Sequence, residues 1–122
     1  MRLLSQTFKA LSDEARLEIL ALLFRHGELC ACDVDATLDM DEDLANHHLR
    51  YLVAMGLVEA RRDGAWMRYR IADHTGPEQQ LVLEAARALL GDVLVAATEK
   101  RYGQWMVRKA GAPPVSLTRG RG

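Results

Sequence analysis

The sequence predicts a mainly α-helical domain that carries one β-hairpin. Apolar residues recur every three or four positions in several segments, a pattern typical of amphipathic helices. Asp63-Gly64 is a two-residue turn signal between two runs that contain Val, Trp, Tyr and Ile, as expected for a hairpin. The chain has 122 residues, which is the size of a single domain with a modest core.

Two helices are predicted before Gly27. Leu4, Phe8 and Leu11 follow one another at i, i+4 and i+7, so they share one face of a first helix. Ser12 suits the N-cap of a second helix, because serine accepts hydrogen bonds from the first free backbone N–H groups. Gly27 is expected to end that helix in the left-handed conformation that glycine adopts readily.

A pair of shorter helices follows. Residues 33–39 suit a third helix, and Leu44, His48 and Leu52 are spaced along the inner face of a fourth, which Gly56 ends. The strands after it carry four arginines: Arg61, Arg62, Arg68 and Arg70. Two short helices followed by an arginine-bearing hairpin form a winged helix-turn-helix, which is the predicted fold.

The last predicted helix covers about residues 78–102 and is apolar around most of its circumference. Because a chain this short has little to cover such a helix, a second subunit is the natural cover. We therefore predict a homodimer formed through the terminal helices. Its contact residues are expected to be Leu4, Phe8, Val82, Ala86, Leu89 and Val93. The predicted domain spans 1–106, and 107–122, rich in Gly, Pro and Arg, is predicted to be a flexible tail.

The fourth helix has the side chains of a helix that reads a DNA major groove. Asn46, His47, Arg50 and Tyr51 lie on or near the face opposite the predicted inner residues, and such polar groups contact base edges. The hairpin arginines, Arg61, Arg62, Arg68 and Arg70, are positioned to contact phosphates beside that groove. Double-stranded DNA is therefore the predicted partner.

Composition sets further bounds. The chain is 49% apolar and 27% charged with a net charge of −1, as in globular proteins. It lacks a run of about 20 apolar residues and a signal-peptide core, so we expect a cytoplasmic protein with no membrane partner. No Ser/His/Asp set, phosphate loop or HExxH string is present, so we do not expect an enzyme.

The chain holds two cysteines, Cys30 and Cys32, two positions apart. In a cytoplasmic protein such a pair suggests metal or redox chemistry, although two buried thiols without a function are the simplest alternative. On an ideal helix, side chains two apart point about 200° away from each other. Both thiols can bind one ion only where the backbone is extended or begins a helix, and Gly27 and a helix start near Asp33 provide such a place.

Three segments resemble the ArsR/SmtB metalloregulators. "FKALSDEARLEILALL" is similar to the opening of that family, "ELCACD" to its ELCVCD metal-binding box, and "NHHLRYLVAMGLVEARRDGAWMRYRI" to its recognition helix and wing. The resemblance covers roughly residues 4–72. It implies a homodimeric winged-helix repressor that leaves its operator when a toxic metal or metalloid binds, with the last helix forming the dimer.

The chain departs from that family in places that bear on the ligand. Asp35 stands where the arsenic-sensing branch often has a third cysteine. We expect no cysteine-bearing N-terminal arm like that of the cadmium and lead branch, and residues 78–102 contain no His for a zinc site. The acidic run 41–43 precedes the recognition helix, where it would repel phosphate or cap the helix.

No cofactor is expected for folding, and the predicted effector is a thiophilic ion held by Cys30 and Cys32. Trivalent arsenic (arsenite or methylarsenite) and antimonite rank first, with Asp35, a hydroxide or a small free thiol as a third ligand. Cadmium, lead and mercury rank second. Thiol oxidation is an alternative signal, and a winged-helix module that binds a protein is a further alternative function.

Overall fold

The computed structural model describes residues 1–92 and 96–111. In that part of the chain, six helices surround a three-stranded antiparallel sheet. The elements are α1 Arg2–Leu11, α2 Glu14–His26, β1 Leu29–Cys30, α3 Ala31–Leu38, α4 Glu42–Ala54, β2 Val58–Asp63, β3 Trp66–Ile71, α5 Pro77–Leu90 and α6 Ala96–Gly111. The predicted order of helices and hairpin is confirmed up to α5.

The sheet has the strand order β1-β3-β2. Strands β2 and β3 form the predicted hairpin, and Gly64 at its tip has a φ of 64°, which glycine adopts without strain. Strand β1 was not predicted, because two residues carry no recognisable alternation. It pairs Leu29 with Tyr69 and Cys30 with Arg68 of β3.

The core lies between α2 and α4, under the sheet. Ile19, Leu20 and Leu22 of α2 and Leu49 and Leu52 of α4 are fully buried. Burying each such side chain stabilises the fold by roughly 1.5–3 kcal/mol. Within the described residues, no helix is both long and apolar enough to cross a bilayer.

Local capping sets where the helices begin. The prediction that Ser12 caps α2 is wrong, because Asp13 has the extended backbone of an N-cap and its carboxylate accepts from the Arg16 N–H at 3.1 Å. Gly27 ends α2 with a φ of 86°, as predicted. Asp41 caps α4 by accepting from the Leu44 N–H at 2.8 Å, so the acidic run begins the helix.

The prediction of one helix over 78–102 is wrong. Helix α5 ends at Leu90, Gly91 and Asp92 form a turn, and α6 begins at Ala96. Glycine weakens a helix at such a point, and α6 gains contacts by packing against α3 instead of extending α5. Helix α6 continues past the predicted start of the tail at 107, and residues 112–122 lie outside the described residues.

The first and fifth helices present an open apolar groove, which we call the α1/α5 face. Phe8 is 59% exposed, Leu81 66% and Leu89 78%, and together they form one contiguous apolar patch. The groove is lined by Leu4, Phe8, Leu11, Leu17, Glu78, Leu81, Val82, Ala85, Ala86, Leu89 and Leu90. Five of the six predicted dimer residues therefore share one surface, and Val93 lies outside the described residues.

Arg16 joins the three helices α1, α2 and α4. Its Nε donates to the carbonyl of Ala10 at 2.7 Å, and its Nη1 lies 3.1 Å from Nδ1 of His48. Its guanidinium also packs on the ring of Tyr51, 4.3 Å from the centroid. His48 is thus a buried structural residue, as predicted, rather than a base reader.

Burial lowers the pKa of His48 below its usual 6.5, and Arg16 lowers it further, although Asp13 opposes the shift. Unfolded chains therefore bind a proton at His48 that the folded chain excludes, so stability should fall as pH drops through 6.5. The slope should be at most about 1.4 kcal/mol per pH unit. Urea unfolding between pH 7.5 and 5.5 measures it.

His48→Gln should flatten this slope while lowering the free energy of unfolding overall. His74→Gln, which removes an exposed imidazole, is the matched control. Asp13, Glu28 and Glu59 have lowered pKa values, so their contribution is lost only at more acidic pH, below about 4.5. An unchanged slope in His48→Gln would contradict the assignment.

Candidate effector site and nucleic-acid interface

The two cysteines meet at the junction of β1 and α3. Cys30 is the last residue of β1 and the N-cap of α3, with φ −90° and ψ 169°, and Cys32 lies in the first turn of α3. The extended backbone at Cys30 turns the side chains of Cys30 and Cys32 to the same side. This is the geometry in which both sulfurs can bind one ion. Their sulfurs are joined in a disulfide, and their Cα atoms are 5.3 Å apart.

Asp33 completes this junction. Its Oδ2 accepts from the Cys30 N–H at 3.0 Å, while the Asp33 N–H donates to Cys30 Sγ at 3.3 Å. This reciprocal pair is a capping box in which a cysteine takes the place that serine or threonine usually holds. The Asp33 side chain is only 1% exposed, so its carboxylate depends on these partners.

Two side chains of α6 lie over the same carboxylate, and we call them the α6 clasp. Trp105 Nε1 donates to Asp33 Oδ1 at 2.8 Å, and Lys109 Nζ donates to that oxygen at 2.7 Å. Lys109 Nζ also lies 3.9 Å from Cys30 Sγ. Arg101 adds a hydrogen bond of 2.7 Å to a backbone carbonyl of α3. Helix α6 is therefore hydrogen-bonded to residues 30–33 and to the end of α3. We call residues 30–33 the thiol segment.

The predicted third ligand, Asp35, is not the carboxylate that lies with the sulfurs. Among the described residues, ligand atoms of Cys30, Cys32 and Asp33 fall within 4.8 Å of one another, and Asp35 is outside this group. The reason is that residue 33 lies at the third position of the helix, where a side chain reaches back to the cap. The spacing Cys-x-x-Asp is a signal that could have identified Asp33.

The thiol segment is also joined to the hairpin. Cys30 pairs with Arg68 across β1 and β3, so backbone hydrogen bonds connect the two strands. Glu28, two residues before Cys30, accepts from Arg61 of β2 at 2.6 and 3.2 Å. This bidentate pair lowers the pKa of Glu28 and raises that of Arg61. The thiol segment and the hairpin are therefore parts of one hydrogen-bonded sheet.

Helix α4 exposes part of the predicted reading face. His47 and Arg50 are exposed, and Asn46 is half-buried. Tyr51 is half-buried against Arg16, so part of its ring supports the packing of α4. The prediction that Leu44 faces inward is wrong, because it is 43% exposed. Ala45 takes its place, at a position one residue nearer the centre of the buried face.

Three of the four wing arginines are paired on one face of the hairpin. Arg61, Arg68 and Arg70 bond to Glu28, Asp63 and Glu59, at 2.6, 3.3 and 3.2 Å respectively. Exposed pairs of this kind contribute little and exchange easily, so phosphates can compete for these cations. Arg62 lies on the opposite face, and within residues 1–92 and 96–111 no ion pair includes it.

The helix pair α3–α4, followed by the hairpin, defines a winged helix-turn-helix protein, and the cysteine pair at the start of α3 is its candidate effector site. The family model "Bacterial regulatory protein, arsR family" matches residues 13–60, which include the thiol segment and α4. The chain belongs to the ArsR family of bacterial regulatory proteins.

Two curated relatives and one solved structure show how far the likeness extends. The arsenical resistance operon repressor of Escherichia coli K12 is 44% identical over 69 residues, 57% of this chain and 59% of the relative. The cadmium resistance regulatory protein CadC homolog of Staphylococcus aureus is 39% identical, over 57% of each chain. The chain thus spans less than two thirds of each.

The solved structure is a homodimeric winged helix-turn-helix DNA-binding domain from Mycobacterium bovis. It is 31% identical, with a TM-score of 0.61, and the match covers 77% of this chain and 83% of that one. This likeness confirms the predicted fold beyond the segment matched by the family model.

Proposed function

We propose that this protein is a homodimeric transcriptional repressor that leaves its operator when a trivalent arsenic or antimony species binds the reduced thiols of Cys30 and Cys32. The observation that carries the proposal is that two sulfurs converge where β1 meets α3. This junction lies between the hairpin and the helix pair α3–α4. The relative from Escherichia coli, named for arsenical resistance, supports the choice of effector.

The DNA interface follows from exposure and charge. His47 and Arg50 project from α4 in a position to meet base edges, with Asn46 beside them, as a major-groove helix requires. Under this proposal Arg62 and the three paired hairpin arginines contact phosphates flanking the groove. Asp41 caps α4 and Glu42 and Asp43 lie in its first turn, so these acids stabilise the helix that reads DNA.

The dimer follows from the α1/α5 face. Its apolar side chains gain about 25 cal/mol for each Å² that a second subunit removes from water. A two-fold dimer presents two copies of α4 to successive turns of the groove, as operator recognition by a helix-turn-helix requires. The homodimeric Mycobacterium bovis domain supports this arrangement.

Effector capture needs the thiol form of the pair. A dithiol or thiol reductant first converts the disulfide to two thiols and is itself oxidised. Each thiol then replaces one hydroxyl of arsenous acid, so two As–S bonds form and two waters leave. The new bridge alters the first turn of α3, and the change reaches α4 through α3 and the wing through β1 and β3. Only a ligand that favours the DNA-free form lowers operator affinity.

The disulfide itself supports a second candidate, release by oxidation. In that case the bonded and reduced forms of the protein would differ in operator affinity without any ion. Cadmium is an alternative ligand for the same sulfurs, in line with the name of the Staphylococcus aureus relative.

A binding assay on DNA from upstream of the protein's own gene tests these proposals. A phosphine reductant is used because thiol reductants chelate arsenite. Reduced wild-type protein should bind in a salt-dependent way, and arsenite should lower its affinity about 5- to 150-fold. Cys30→Ser and Cys32→Ser should bind DNA and ignore arsenite, since serine preserves the cap of α3.

Ala36→Ser, on the same helix, is the matched control and should respond as wild type does. An arsenite response that survives both cysteine substitutions would refute the proposed sensor. Release by a mild oxidant alone, with no response to arsenite, would favour the redox alternative. Affinity that does not depend on salt would contradict binding through phosphate contacts.

A further inference from the structure

We infer that the α6 clasp, Lys109 and Trp105, makes the thiol site selective for neutral trivalent hydroxides of arsenic or antimony over divalent cations. This inference rests on the proposed function, in which Cys30 and Cys32 are the ligands. It assigns a role to residues 72 and more positions away from the thiol segment, on a helix that lies outside the family match.

The first argument is the state of the nearest carboxylate. Both oxygens of Asp33 are already engaged, Oδ2 by the Cys30 N–H and Oδ1 by Trp105 and Lys109. A soft divalent cation such as Zn²⁺ seeks about four ligands, and two sulfurs leave it short. It could recruit Asp33 only by displacing donors from a buried carboxylate. Arsenous acid needs no such recruitment, because it retains one hydroxyl after binding two sulfurs.

The second argument is charge. Lys109 Nζ lies 2.7 Å from Asp33 Oδ1 and 3.9 Å from Cys30 Sγ. Two thiolates already neutralise a divalent cation, so further attraction for that cation would come from the Asp33 carboxylate, whose charge the ammonium compensates. A neutral hydroxide gains nothing from a free carboxylate. Lys109 therefore weakens the binding of cadmium and leaves arsenite nearly unaffected.

The third argument is that the clasp is well supported. Trp105 and Lys109 lie one turn apart on α6, so both reach the same oxygen of Asp33. Arg101 anchors the preceding turns to α3, and Tyr102 stacks on His26 of α2 with ring centroids 3.6 Å apart. The ammonium is thus held in place by packing on two helices, which a selective site requires.

Equilibrium dialysis of the reduced protein against arsenite and, separately, against Cd²⁺ tests the inference by affinity and stoichiometry. Lys109→Met keeps the apolar stem and removes the charge. It should tighten Cd²⁺ binding about tenfold or more while arsenite binding changes by less than about threefold. Lys100→Met, an exposed position on α6 about 13 Å earlier along the helix, should change neither.

Trp105→Phe provides a second, milder variant should Lys109→Met fail to fold, which circular dichroism will show. It removes one donor from Asp33 and should raise Cd²⁺ affinity about threefold, again with little effect on arsenite. Lys109→Arg retains the charge and should keep the wild-type ratio of the two affinities.

The outcomes separate this inference from the function it rests on. If arsenite binding needs both cysteines but neither clasp variant changes the ratio of Cd²⁺ to arsenite affinity, the inference is overturned and the proposed function stands. Binding of arsenite that is independent of Cys30 and Cys32 overturns both. A wild-type protein that already binds Cd²⁺ as tightly as arsenite also overturns the inference.

Discussion

Replacing Leu89 with aspartate should convert the proposed dimer into a monomer and lower operator affinity by roughly 100-fold or more. Leu89 is 78% exposed at the α1/α5 face, beside Phe8 and Leu81. A two-fold interface repeats the substitution, so two carboxylates would lose their water in apolar surroundings. A monomer also contacts only one half-site. Sedimentation velocity and the operator assay measure the two effects.

Ala88→Asp is the matched control for this substitution. It adds the same charge at the neighbouring exposed position of α5, which is not among the residues that line the groove. It should remain dimeric and bind the operator as wild type does. A Leu89→Asp protein that sediments as a dimer would show that the subunits meet elsewhere.

Replacing Asp33 with alanine should lower the free energy of unfolding by about 2–4 kcal/mol and release α6 from α3. The Asp33 side chain is 1% exposed and accepts hydrogen bonds from Cys30, Trp105 and Lys109. The substitution removes half of the capping box and leaves the indole N–H without its acceptor. Lys109 is 29% exposed, so hydration of its ammonium offsets part of the loss.

Urea unfolding at fixed protein concentration measures the loss, because the stability of a dimer depends on concentration. Hydrogen exchange should show faster exchange in α6 than in the core helix α2. Asp43→Ala, which removes an exposed acid from the first turn of α4, should cost less than about 1 kcal/mol. An equally small loss of unfolding free energy in Asp33→Ala would contradict the conclusion that this carboxylate holds α6 against α3.

The proposed coupling between the sulfurs and DNA would depend on the strand pairing of β1 with β3. Cys30 is the last residue of β1, and its partner across the sheet, Arg68, belongs to the wing. Glu28 adds a side-chain ion pair with Arg61 of β2. Cys30 is therefore part of the sheet that carries the hairpin arginines, so the backbone change proposed at Cys30 would have a short distance to travel.

Much of this architecture was readable in the sequence because its signals are local. Asp63-Gly64 marked the hairpin, Gly27 marked the end of α2, and helical spacing marked α1 and α4. A turn residue or an apolar period acts over a few positions, whatever the rest of the chain does. The sequence also allowed Cys30 and Cys32 to converge, because it predicted that a helix begins near Asp33. The geometry of an N-cap involves only the first turn of its own helix.

The tertiary structure alone decided what surrounds the sulfurs. Trp105 and Lys109 reach Asp33 across 72 and 76 positions, and β1 meets β3 across 38 or more. No local pattern encodes such contacts, because they form only when separate elements pack together. The prediction that Leu44 faces inward was wrong for a related reason. A rotation of the helix by one residue changes which side chain meets the core. The sequence determined the first four helices, the hairpin and the thiol pair, and packing determined that Asp33, held by α6, stands beside the sulfurs.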